Sequence, residues 1–127
     1  MGNGTSIGRV RALGSAHSGA HHWLMVRYTS FANLLSGLYV AFGLAGLRSY
    51  TFKAMHDWLA HPLPATMMGL FVLCTFWHAA LGLRELIEDY VHDHANKAIA
   101  LVALNLLSFA GAAFGLLCVL RIALGAA

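Results

Sequence analysis

A single imidazole, His78, stands inside the otherwise uncharged residues 64–83. An ionisable ring in an apolar stretch is costly to keep, so it marks a functional position by default. Two chemistries suit it. The ring can be the axial ligand of a haem iron, the usual task of a lone histidine facing a macrocycle. It can also stay neutral and hydrogen-bond a serine or a carbonyl on a neighbouring helix. On a helix, Gly82 lies about 40° from His78 and Asp89 about 20° from it, so one face carries His78, a gap at Gly82, then Glu85 and Asp89. A flat macrocycle held at His78 would rest against that gap. The chain places one histidine at mid-span, so a six-coordinate haem would take its second ligand from another protein chain.

Asp89 and Tyr90 follow at the end of the same stretch, about 16 Å along the axis from His78. A phenol donates a hydrogen bond to an oxygen gaining negative charge, and a nearby acid relays protons; quinone reduction requires both. Arg84, Glu85, Glu88 and Asp89 also suit the place where a helix leaves lipid, with Glu85 and Asp89 a like-charge pair that solvent tolerates. Arg27 stands at the start of the first apolar stretch. It would meet an anionic group such as a haem propionate, or reach the interface beside the Trp23 anchor; spacing by itself favours the second. The other histidines, His17, His21, His22, His56, His61, His92 and His94, fall in tails or loops, and His92-Asp-His94 reads as polar residues facing water rather than a metal site. Asn105, Ser108 and the Gly111-x-x-x-Gly115 pair read as helix-packing features.

These residues need apolar helices to hold them. The 127 residues are 59% hydrophobic and 10% charged, with a mean hydropathy of +0.67. Soluble domains carry about 25% charged residues, so the composition excludes a disordered chain and argues against a soluble globular enzyme. Residues 28–47, 64–83 and 99–120 are each long enough to cross a hydrocarbon core, which takes about 20 helical residues. Lipid leaves no unpaired backbone, so each is expected to be helical. The expectation is an all-α membrane chain: one anchor domain, a tail over 1–22, and three transmembrane helices over about 23–47, 63–90 and 97–122.

The connections agree. Residues 1–22 hold Arg9, Arg11, five glycines and no acid, a basic tail drawn to anionic lipid. Residues 48–61 place Tyr50, Phe52, Met55, Trp58 and Leu59 near helical spacing, as in a short interfacial helix. Pro62 and Pro64 restart the chain, and residues 91–97 form a short polar loop. Arg9, Arg11, Arg27, Arg84 and Lys97 fall on one side and Arg48, Lys53 and Arg121 on the other, which sets the N-terminus in the cytoplasm. Cys74 and Cys118 lie in apolar runs and form no metal motif.

Two segments resemble a known family, the hydrophobic membrane anchor of succinate dehydrogenase (respiratory complex II). Gly19-Ala-His-His-Trp23 with Val-Arg27-Tyr-Thr29 is similar to the family's approach to its first helix. His78-x-x-x-Gly82, followed by Asp89-Tyr90, looks like its second-helix segment, with the same His-to-Tyr interval. The likeness runs through all three apolar stretches.

The resemblance implies a role for each matched residue. His78 falls on the axial ligand of haem b and is the metal-binding position; Asp89 and Tyr90 fall on the quinone-site pair; Arg27 falls near a haem propionate. It implies haem b shared with a second anchor protein, cytochrome b556, and ubiquinone as substrate. FAD and iron–sulfur clusters are then confined to a flavoprotein partner and an iron–sulfur partner. The chain has no activity of its own on this reading; it is set in lipid, with no nucleic-acid partner. No cleavable presequence is legible in residues 1–22, so a bacterial inner membrane is expected rather than a mitochondrial one. Two rivals stay open: the haem-binding anchor of a related quinone enzyme such as fumarate reductase, and a non-redox membrane protein in which His78 only packs.

Overall fold

The computed structural model describes residues 19–125. It is all-helical: α1 (Gly19–Ala45), α2 (Phe52–Leu59), α3 (Pro62–Tyr90) and α4 (His94–Ala123). At 1.5 Å per residue the three long helices extend about 40–45 Å, more than the roughly 30 Å of a hydrocarbon core.

Local chemistry sets the helix boundaries. The Thr51 hydroxyl accepts from the Ala54 N–H at 3.3 Å and starts α2, the short helix expected within 48–61. Pro62 lies in the first turn of α3, where its missing N–H leaves no bond unmade. The Asp93 carboxylate accepts from the Asn96 N–H at 2.9 Å and starts α4, so the loop after α3 shrinks to three residues, 91–93. The Lys97 ammonium reaches back and donates to the Glu88 carbonyl at 2.7 Å, satisfying an open carbonyl at the end of α3. Gly125, at φ 69°, takes the left-handed conformation that stops α4.

Helix α1 begins before the apolar run does. The expected tail over 1–22 is corrected at its last four residues, which belong to α1, and His21 and His22 are helical rather than in the tail. His56 lies in α2, and His94 opens α4. No proline lies between Gly19 and Trp23, and backbone pairing continues past the hydrophobic boundary. The basic stretch with Arg9, Arg11 and His17 lies outside the described residues.

Helix α3 is the middle element and packs on both α1 and α4. Gly37 of α1 faces Phe71, and Thr29 faces His78, so the two helices run in opposite directions. Gly111 and Gly115 of α4 face Phe76 and Val72 of α3, again antiparallel. A Cβ on Gly115 would stand 2.7 Å from a Val72 methyl, and Val72 is β-branched with little rotamer freedom to yield. The Trp58 ring of α2 lies against Gly43 at the far end of α1.

Little of this apolar surface is hidden by the chain itself. Among the described residues only Val40 and Val119 are buried hydrophobic side chains. Helices α3 and α4 are long and apolar enough to cross a membrane, with 6% of each apolar window buried. They are not the core helices of a soluble protein, which would be mostly covered. Of the three expected spans, two meet that measure; α1 is diluted by Thr29, Ser30, Asn33 and Ser36.

Gly115→Leu is expected to push α4 off α3. Overpacking of this kind costs about 1–3 kcal/mol, read as a lower Tm by circular dichroism of the detergent-purified protein. A melting curve matching the wild type would mean that α3 and α4 do not approach closely there.

Candidate functional site

Antiparallel packing lines up a row of polar pairs between α1 and α3. From one end inward these are His22 with Glu85, Thr29 with His78, and Asn33 with Thr75. The middle pair holds the imidazole. Thr29 is 6% exposed, and its hydroxyl oxygen lies 3.0 Å from His78 Nδ1. The same oxygen lies 2.9 Å from the Met25 carbonyl and 3.0 Å from the Val26 carbonyl, to which it donates. One turn along, the Thr75 hydroxyl donates to Asn33 Oδ1 at 3.1 Å.

His78 is half-buried, and one ring nitrogen is engaged by α1. The other, Nε2, has no hydrogen-bond partner among the described residues and is not closed off inside the chain. A Cβ placed on Gly82, one turn further along α3, would meet nothing within 4 Å. An imidazole with one nitrogen anchored, the other unpartnered, and open space beside it is a donor set that fits the axial ligand of a metal macrocycle. Among the described residues no three His, Cys, Asp or Glu side chains gather as a metal site, so His78 stands alone as a donor.

The end of the bundle carries the charges. His22 Nε2 lies 2.7 Å from Glu85 Oε1, close enough for an ion pair but out of line for a hydrogen bond. Arg84 Nε donates to Glu88 Oε1 at 2.8 Å. These four side chains line a polar cleft, and His22 and Glu85 also border a second one with Gly19, Trp23, Val26 and Arg27. The Arg27 guanidinium carbon lies 3.3 Å from the centre of the Trp23 ring, a cation–π contact that holds the cation at the bundle's end.

Asp89 and Tyr90 are the last two residues of α3, both exposed, with Tyr90 76% so. They lie 11 and 12 residues from His78 on α3, about 16–18 Å along the axis, and the fold does not bring them to the imidazole. Of His78, Arg27, Asp89 and Tyr90, His78 alone gains a partner across the helix interface; Arg27 stacks within its own helix. Sequence reasoning quoted Thr29 in a motif without giving it work, and it set His22 in the tail. The missed signal was register: once α1 and α3 are antiparallel, Thr29, seven residues beyond His22, must meet His78, seven residues before Glu85.

Comparison with known proteins agrees with this architecture. The family model described as "Succinate dehydrogenase/Fumarate reductase transmembrane subunit" matches residues 1–114. The chain is 28% identical over 102 residues to the succinate dehydrogenase hydrophobic membrane anchor subunit of Rickettsia bellii, covering 80% of this chain and 82% of that one. It is likewise 28% identical over 101 residues to the protein of the same name in Rickettsia conorii, covering 79% and 80%. An antiparallel set of long helices with outward-facing apolar surfaces, matched over most of its length, therefore belongs to the succinate dehydrogenase/fumarate reductase transmembrane subunit family.

Proposed function

We propose that this chain anchors a succinate:ubiquinone oxidoreductase in a bacterial inner membrane, offers one axial ligand to haem b, and forms part of the ubiquinone-reduction site. The observation that carries the ligand role is the His78 ring, tied through Nδ1 to Thr29 and left with an unpartnered Nε2 beside the open space at Gly82. The choice of succinate rests on the names of the curated relatives, all succinate dehydrogenase anchors.

Helix α1 acts as the third span. Several of its polar groups bond within the protein: Thr29 and Ser30 donate back to carbonyls one turn earlier, and Asn33 Oδ1 accepts from Thr75. That removes the main cost of polar side chains in lipid. With α1, α3 and α4 crossing, the N-terminus lies in the cytoplasm, on the side of Arg27, Arg84 and Lys97. The same end carries Asp89 and Tyr90, so the iron–sulfur and flavoprotein partners sit there.

His78 would hold the haem iron, and the second anchor protein, cytochrome b556, would supply the other ligand. Haem supplies one-electron transfer when bound. Arg27, held at the bundle's end by Trp23, offers a cation to an acidic group at that depth. Tyr90 orients the quinone by donating from its hydroxyl to the oxygen that gains charge. Asp89, next to it and exposed, passes protons from the aqueous side. No residue of this chain handles succinate; that chemistry belongs to the partner proteins.

His78→Ala in the assembled complex is expected to remove or shift the b-type band in a reduced-minus-oxidised visible spectrum; an unchanged band would refute the ligand role. Tyr90→Phe is expected to slow succinate–quinone turnover roughly 100-fold, the usual effect of losing one donor to a developing oxyanion. Succinate oxidation by a soluble artificial acceptor should stay at the wild-type rate. Equal loss in both assays would mean failed assembly and no role at the quinone.

A further inference from the structure

We propose that Thr29 is a positioning residue that fixes the tautomer and orientation of His78, presenting Nε2 as the ligating nitrogen. The inference rests on the haem-ligand reading of His78 and adds to it the residue that prepares the ring.

The argument is a count of hydrogens. The Thr29 oxygen has three neighbours at hydrogen-bond distance: the Met25 carbonyl, the Val26 carbonyl and His78 Nδ1. Carbonyls accept only, and the hydroxyl has one hydrogen to give. A helical threonine gives it to the preceding turn, and here both carbonyls stand ready to share it. The oxygen's remaining lone pairs are then the complement for Nδ1, which must carry the ring's hydrogen. A neutral imidazole has one N–H, so Nε2 keeps its lone pair.

The opposite assignment is worse at both ends. With the hydroxyl hydrogen turned to Nδ1, the ring hydrogen would move to Nε2, where no acceptor stands among the described residues. An N–H aimed into an apolar interface without a partner is heavily penalised. Burial completes the case. Thr29 is among the few buried residues of those described, so water does not replace its hydroxyl. Its backbone is fixed within α1, and Asn33 with Thr75 pins the same helix pair one turn away. The ring plane is therefore set by a rigid acceptor on a neighbouring helix. A ligand histidine that donates its second N–H in this way is a stronger base toward the metal, and loss of such a partner weakens metal binding about 10–100-fold.

The test uses the assembled complex with Thr29→Val, which keeps the shape and removes the oxygen, and Thr29→Ser, which keeps the oxygen. Haem per complex is read from the b-type band, and the haem midpoint potential from a redox titration. Thr29→Val is expected to bind haem about 10–100-fold more weakly and to raise the potential, because a less basic ligand favours ferrous iron. Thr29→Ser is expected to match the wild type. Wild-type haem content and potential in Thr29→Val would overturn the proposal, as would equal changes in both variants, which would assign the effect to packing. A density map of the wild-type complex serves if Thr29→Val fails to assemble: Thr29 Oγ1 should face the ring nitrogen away from iron, and iron on Nδ1 would overturn the idea. Loss of the underlying reading looks different, since the b-type band would then persist in His78→Ala.

Discussion

An imidazole placed in an apolar layer must account for two nitrogens, and water is not there to help. That constraint organises the α1–α3 interface. Thr29 answers one nitrogen, and its own hydrogen is absorbed by the turn of α1 that precedes it. The second nitrogen has no answer among the described residues. It is left open to a group from outside the chain, which on the proposed reading is a ligand held between two proteins. The neighbouring pair, Asn33 with Thr75, adds a hydrogen bond across the same interface with both members inside the chain.

Close approach of the helices makes that pairing possible. With few side chains buried, the bundle is not held by a wide hydrophobic core. Glycine contacts hold it instead: Gly37 under Phe71, Gly111 under Phe76 and Gly115 under Val72. Inside lipid, apolar surface gains little by leaving one oily neighbour for another, so contact between close backbones and a few polar pairs supply the association. Gly82 breaks this pattern, since nothing of the chain stands where its side chain would be. A small residue facing open space, one turn from an unpartnered nitrogen, leaves room there for the macrocycle of the proposed reading.

Charge divides along the same axis. Arg84, Glu85 and Glu88 gather at the end of α3 with His22 of α1 and Lys97 of α4. Among the described residues the middle of the bundle holds no Asp, Glu, Lys or Arg. Tyr90 and Asp89 belong to the charged end, where both are exposed. Separating the imidazole from the phenol by about three turns of helix lets one element serve an apolar site and an aqueous boundary together.

Much of this was legible from residue order. The apolar runs set three long helices, the proline pair marked the start of α3, and the residues around 51–59 marked the short helix between spans. His78 declared itself because one imidazole in an uncharged run has few reasons to be there. The segments around Arg27 and His78 carried the family by themselves. What the order of residues did not reveal was the partner of that imidazole. Serine, threonine and carbonyl groups are common on any neighbouring helix, and only the antiparallel register of α1 against α3 selects Thr29 from among them. His22 was misplaced for a related reason: hydropathy marks where lipid ends, whereas backbone hydrogen bonding decides where the helix ends. Periodicity along one chain reports which face a residue occupies, but a hydrogen bond between helices depends on their relative shift, and packing alone determines that shift.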